Sequence, residues 1–227
     1  MKAMRFRSIL ILGFTIAQMV GATAMSNAGQ PRGDQNDSQR IAPILSLVKA
    51  GGVSIWIEYH GACAEGSTQD IPLELRITPG ERNVNANALN AIRNILREND
   101  NLSIDSSTPG IIKVSTGGGL SPIPNLKLDD LKLDSKDRYN PNYAIAAAIG
   151  VSQASLQDLQ ATPLIEFGGL LGEVPSKGRP HLRQTSKYGT LNELLLDVSR
   201  TFKGVLVYKE CKLENGTRLF DIYFYRL

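Results

Sequence analysis

The residues best suited to chemistry in this chain are its cysteines and one histidine close to the first of them. His60 precedes Cys63 by three positions, and an imidazolium beside a thiol can lower the thiol pKa and make it nucleophilic. The same pair could bind a metal together with a carboxylate such as Glu58 or Glu65. The chain has only two cysteines and two histidines, and no motif supplies the orienting group or oxyanion site of a thiol enzyme. We therefore expect no metal, no cofactor and no catalytic residue.

A disulfide bond is the alternative role for the same cysteine. Cys63 follows the first strand of a predicted hairpin near the N-terminus, and Cys211 occupies the corresponding position in a predicted hairpin near the C-terminus. In an exported protein both thiols meet an oxidising compartment, where pairing is the default. We predict a Cys63–Cys211 disulfide that connects the N-terminal and C-terminal parts of the fold.

The N-terminus has the three-part pattern of a secretory signal peptide. A basic start precedes an apolar run over residues 9–20, and Ala22-Thr23-Ala24 resembles a cleavage site. The apolar run has about a dozen residues, whereas a membrane span needs about 20. We predict a signal peptide over 1–24 and a flexible lead-in over 25–40. The mature protein is then periplasmic or extracellular, with no transmembrane span.

The charge of the chain argues against nucleic-acid binding. The formal net charge is +3, but Lys2, Arg5 and Arg7 all lie in the predicted signal peptide. Without these three, the 25 basic residues fall to 22, which equals the 22 acidic residues. A neutral body with no long Lys/Arg run lacks the electrostatic footprint of a protein that neutralises phosphates.

The composition, with 42% hydrophobic and 21% charged residues, is that of an ordinary globular protein. The predicted helices and strands follow a repeated order. From residue 41 onward an amphipathic helix followed by two strands is predicted three times. The strand pairs are 53–60 with 71–78, 102–104 with 111–114, and 205–208 with 219–225. The third helix begins with a Ser/Thr-x-x-Glu capping box, Thr190 and Glu193.

This order predicts an α+β fold built from repeated helix and β-hairpin units. Two-stranded sheets are marginal alone, so neighbouring units should share sheets and cores. We expect two small packed α/β subdomains: a first unit pair over 41–116 and a second α+β domain over 141–227. A linker that contains glycine and proline, 117–140, separates them.

One local charge imbalance marks a candidate binding surface. The loop from Gly172 to Gly189 has no acidic residue after Glu173 and contains five basic or histidine residues, Lys177, Arg179, His181, Arg183 and Lys187. Such a loop can bind an anionic polymer or an acidic patch on a partner protein. The alternative is a solvated mobile loop without a binding role.

The single tryptophan of the chain is a second candidate contact. Trp56 alternates with apolar residues and shares its strand face with Glu58 and His60. An aromatic residue on the polar face of a strand can mark a contact surface. Alternatively, a second helix covers this face and Trp56 is buried beneath it.

The helix and hairpin order, with the segment TLNELLLDVSRTFKGVLVYKE that starts at Thr190, resembles the small periplasmic modules at the N-terminal end of bacterial secretins and TonB-dependent receptors. The resemblance covers residues 70–115 and 188–227. It implies an interaction module without catalytic residues. We therefore predict an exported, non-catalytic binding or assembly protein of the bacterial envelope, whose partner is an envelope protein or a surface polymer. The alternative is a small secreted hydrolase or thiol enzyme that uses His60 and Cys63, or His181.

Overall fold

The computed structural model describes most of the chain from residue 34 onward. The described residues are 34–61, 63, 71, 73, 75–76, 88–97, 99, 101–117, 120–129, 131–164, 178–184 and 187–227. The predicted signal peptide and the first part of the predicted lead-in lie outside this set, as does Lys177 of the basic loop.

Helices and strands alternate irregularly along the described residues. The helices are α1 (Asp34–Gly51), α2 (Ala88–Ile95), α3 (Ser135–Tyr139), α4 (Pro141–Val151), α5 (Gln153–Asp158) and α6 (Leu191–Phe202), with a short 3-10 helix over Ile123–Asn125. The strands are β1 (Ser54–Gly61), β2 (Leu102–Asp105), β3 (Ile111–Thr116), β4 (Ala161–Pro163), β5 (Gly204–Lys212) and β6 (Arg218–Arg226). This content confirms the predicted α+β class.

Within the described part of the chain the six strands form one mixed sheet in the order β2-β3-β1-β5-β6-β4. Strand β1 pairs in parallel with β3 on one edge and with β5 on the other. Strands β2 and β3 are antiparallel, as are β5 and β6, so the second and third predicted hairpins are confirmed. Strand β4 runs parallel to β6 at the edge of the sheet.

The first predicted hairpin is wrong. Both edges of β1 are occupied by β3 and β5, which leaves no edge for the segment from residue 71. Ile71, Leu73 and Leu75 are instead buried in the core that contains α1 and α2. Their alternation therefore reflects burial of every second side chain and not pairing with β1.

The sheet also crosses the boundary predicted at 117–140. Ile123, Leu126 and Leu128 of that segment are buried in the core. Its backbone bonds to the start of α6, because Leu191 N donates to Leu126 O at 2.8 Å and Leu128 N donates to Gly189 O at 3.1 Å. The segment expected to be a linker is thus packed against the fold. Helix α1 likewise begins at Asp34, so the end of the predicted flexible lead-in is helical.

Two apolar cores cover the two faces of the sheet. Successive strand residues point to opposite faces. Trp56, Leu206 and Phe224 accordingly pack in the core that contains α4 and α6, whereas Ile55, Ile57 and Val207 pack in the core that contains α1 and α2. Parallel strands buried on both faces are typical of such layered folds. The central position of β1 places its C-terminal end, with His60, beside the ends of β3 and β5.

The capping box predicted for helix α6 is formed in part, because the Glu193 carboxylate bonds to Gly189 N and not to Thr190 N. The Thr190 hydroxyl accepts a hydrogen bond from Glu193 N at 3.3 Å, while Glu193 Oε2 accepts one from Gly189 N at 2.7 Å. Free backbone donors at the helix start are satisfied in this way. The cap fixes the end of the basic loop at Gly189 against the helix.

Candidate functional site

The two cysteines form the predicted disulfide. The Sγ atoms of Cys63 and Cys211 are 2.10 Å apart and the Cα atoms 5.2 Å apart. The parallel pairing of β1 with β5 brings them together, because Gly61 at the end of β1 lies opposite Cys211 in β5. The bond uses the Cys63 thiol, so this thiol is not a nucleophile while the disulfide is intact.

His60 contacts a buried carboxylate of the neighbouring strand. In the parallel register His60 lies opposite Glu210, and its Nδ1 is 3.8 Å from Glu210 Oε2. The other ring nitrogen, Nε2, is buried without a hydrogen-bond partner among the described residues.

Glu210 is the centre of a buried polar cluster that sequence reasoning missed. The Tyr208 hydroxyl donates to Glu210 Oε2 at 2.5 Å, and Arg218 pairs with Oε1. The hydroxyl oxygens of Ser121 and Tyr208 are 2.7 Å apart. A signal existed in the sequence, since an acidic residue in an apolar strand requires a partner when it is buried.

The electrostatics of the cluster keep its carboxylate ionised and its phenol neutral. Burial acts to raise the pKa of Glu210, but hydrogen bonds from Ser121, Tyr208 and Arg218 outweigh it, so the pKa lies below its usual value. Burial, together with the hydrogen bond to Glu210, raises the pKa of Tyr208 far above the usual value. Glu210 and Tyr208 thus have fixed hydrogen-bond partners, which is the behaviour of a structural cluster.

The basic loop contains residues that the structure both exposes and anchors. We call residues 178–187 the basic segment, of which residues 178–184 and Lys187 are described. Arg179, His181, Arg183 and Lys187 are exposed. Leu182, in the middle, is fully buried and belongs to the core around α4 and α6. Its backbone N donates to Arg138 O of α3 at 2.9 Å, so the segment is fixed at its centre.

Side-chain contacts with α3 reinforce this attachment. The His181 ring stacks on Tyr139 with 4.8 Å between centroids and a 22° interplanar angle. His181 Nδ1 lies 3.0 Å from the Arg179 carbonyl oxygen. Arg138 Nη1 reaches Gln184 Oε1 at 3.5 Å. The exposed cationic groups therefore extend from a backbone whose path is set by α3.

The acidic residues at the start of α3, Asp134 and Asp137, are engaged by their own helix. The Asp134 carboxylate accepts from Asp137 N at 2.9 Å, and the Asp137 carboxylate accepts from Asp134 N at 3.2 Å, which completes a capping box. The hydrogen bond from Asp137 N holds the pKa of Asp134 below its usual value. These carboxylates stabilise the start of α3, the helix that supports the basic segment.

Trp56 does not lie on a contact surface. Its side chain is 1% exposed and packs in the core that contains α6. The Lys113 ammonium group lies 4.7 Å from the centroid of the indole ring. The alternative that a second helix covers this face is confirmed, because α6 packs on the face that carries Trp56.

Comparisons with known proteins give no relative for this geometry. No protein-family model matches the chain, and searches of curated proteins and of solved structures found no significant match. Among the described residues, none of the helices has the length and apolarity needed to cross a membrane. In the same part of the chain, no three His, Cys, Asp or Glu side chains are grouped as metal ligands would be.

Proposed function

We propose that this chain is an exported, non-catalytic binding or assembly protein of the bacterial cell envelope, and that the basic segment is its contact surface. The partner is an envelope protein or a surface polymer that carries negative charge. The proposal rests on one observation: a run of exposed cationic side chains is anchored at its centre by the buried side chain of Leu182.

Anchoring matters because binding costs conformational entropy. A loop that is already fixed loses less freedom when a partner binds, and more of the interaction energy then contributes to affinity. Binding residues are commonly carried on loops that a rigid scaffold positions. Here the scaffold is α3 together with the capped start of α6, which holds Gly189 through Glu193.

Electrostatics define the partner. The described residues of the basic segment include Arg179, Arg183 and Lys187 and no acidic residue. Guanidinium groups bind carboxylates and phosphates through paired hydrogen bonds. A partner that presents several such anions matches this surface better than a neutral one.

Two features support export. The N-terminal pattern is that of a cleaved signal peptide, and the Cys63–Cys211 disulfide is the state favoured by an oxidising compartment. The thiol-enzyme alternative needs a free Cys63 and therefore receives no support from this pairing.

The experiment that tests the proposal is capture from envelope extract with matched variants. The test variant replaces Arg179, Arg183 and Lys187 with alanine. The control variant removes three exposed positive charges from the other side of the sheet, Lys49, Arg93 and Arg97. We expect the test variant to lose capture in low-salt buffer, where electrostatic contacts are strongest, and the control to retain it. Equal capture by both variants would contradict the proposal.

A further inference from the structure

Three charged side chains of the described residues meet beneath helix α1, on the face of the sheet opposite Trp56. Lys209 Nζ lies 2.7 Å from Asp37 Oδ2 and 3.2 Å from Asp221 Oδ2. Only 4% of the Lys209 side chain is exposed, against 7% for Asp37 and 20% for Asp221. An ammonium group buried to this extent is rare, because its transfer from water carries a large desolvation cost.

The fold explains how the three side chains come together. Lys209 of β5 and Asp221 of β6 are directly opposite in the antiparallel register. Asp37 comes from the first turn of α1. The neighbouring side chains on this face of β5 are Val207 and Cys211, both in the apolar core below α1. The amine and the carboxyl group therefore meet in surroundings from which water is largely excluded.

We propose that Lys209 and Asp37 form an intramolecular isopeptide bond, which joins α1 covalently to the centre of the sheet. The structure carries the reactants of such a bond: a buried primary amine, a buried carboxyl group in contact with it, and a second carboxylate positioned to move protons. The product is an amide between Lys209 Nζ and Asp37 Cγ.

The step balances without an oxidant or a cofactor. The reaction starts when a proton crosses the 2.7 Å contact from the Lys209 ammonium to the Asp37 carboxylate, which gives a neutral amine and a carboxylic acid. The neutral amine attacks Asp37 Cγ, and a nitrogen–carbon bond forms. Asp221 takes a proton from the nitrogen and delivers it to the departing hydroxyl group. The carbon–oxygen bond breaks, one water molecule leaves, and Asp221 returns to its carboxylate form.

Asp37 is the partner in the bond, and Asp221 is the group that moves the proton. Asp37 is closer to Nζ and more buried than Asp221. The ion pair holds the amine and the carboxyl group in direct contact, with 2.7 Å between Lys209 Nζ and Asp37 Oδ2. Condensation removes a buried ion pair whose desolvation is costly, and the remaining carboxylate can accept a hydrogen bond from the new amide.

Peptide mapping of the full-length mature protein, purified after export and with the disulfide reduced, tests this proposal directly. We expect a branched peptide that contains Lys209 and Asp37, with a mass lower than the sum of the two linear peptides by one water molecule. Recovery of both linear peptides in full, with no branched species, would overturn the proposal. This measurement needs no variant and no knowledge of the binding partner.

Variants then assign the roles. Asp37→Asn should still form the same amide with loss of ammonia, whereas Asp37→Ala and Lys209→Arg should give only linear peptides. Asp221→Asn keeps both reactants and should abolish or strongly slow the cross-link. A full yield of branched peptide in Asp221→Asn would refute the role of Asp221. Failure of a variant to fold would show as loss of soluble protein, and the wild-type map would still decide the question.

Discussion

The imidazole of His60 lies 3.8 Å from the carboxylate of Glu210 on the neighbouring parallel strand. Cys63, three residues further along the chain, is bonded to Cys211. A histidine and a cysteine that look like a reactive pair in sequence therefore have separate partners on β5. The parallel pairing of β1 and β5 determines both contacts.

Loss of the disulfide should destabilise the fold. We expect Cys63→Ala to lower the free energy of unfolding by about 2–5 kcal/mol, because the unfolded chain gains freedom when a long loop is opened. Urea denaturation of the disulfide-bonded protein measures this effect. The variant that lacks both cysteines should lose a similar amount and not twice as much. Two alkylatable thiols in wild-type protein purified without reductant would contradict the pairing.

Glu210 should make stability depend on acid pH. Its pKa is lowered in the folded state, so its stabilising contribution is complete above the unfolded value of about 4.3. That contribution is lost as the pH falls through the lower, folded pKa. Glu210→Gln should lower stability at neutral pH by about 1–3 kcal/mol and weaken the acid dependence. Glu214→Gln, at an exposed position in the β5–β6 turn, is the control and should leave the acid profile unchanged.

Trp56 should report burial by fluorescence. It is the only tryptophan and is 1% exposed, so its emission should be blue-shifted and poorly quenched by acrylamide until the protein unfolds. Trp56→Phe should preserve the fold better than Trp56→Ala, which removes most of a buried side chain and should cost about 3–5 kcal/mol. Efficient quenching of the native protein would place the indole at the surface and contradict this packing.

Leu182 should hold the basic segment in place, and this local effect should be distinguishable from its contribution to the stability of the whole fold. Leu182→Ala removes the buried side chain between Arg179 and Arg183 and should loosen the segment. We expect faster tryptic cleavage after Arg183, because cleavage requires local opening of the chain. Leu156→Ala is the matched control, since Leu156 is equally buried in the same core but lies in α5. Equal cleavage rates after Arg183 in the two variants would show that Leu182 does not hold the segment.

Local patterns predict the parts of this fold that local interactions determine. The β2–β3 and β5–β6 hairpins follow from short turns between alternating strands, and α6 follows from its cap at Thr190. The parallel pairing of β1 joins residues far apart in sequence, and no local pattern records it. The alternation from Ile71 to Leu75 therefore gave a false hairpin.

The same limit applies to the sites. The disulfide was predictable because only two cysteines exist, which leaves one intramolecular pairing. The basic segment was visible as a charge imbalance, but its anchor at Leu182 depends on packing against distant helices. The contacts of Glu210 with Arg218 and of Lys209 with Asp37 arise from register and helix placement. The sequence shows that Lys209 and Glu210 are charged residues in an apolar strand, but it does not show which residues they contact.

The position of β1 at the centre of the sheet has a consequence for biosynthesis. One of its neighbours, β5, comes from a distant part of the chain, since Ile55 pairs with Val205, and contacts so distant in sequence slow folding because a long loop must close first. The centre of the sheet, and the disulfide beside it, can be completed only after residues 204–212 are available. A chain that crosses a membrane from its N-terminus would then lack the centre of this sheet until residues 204–212 have also passed through.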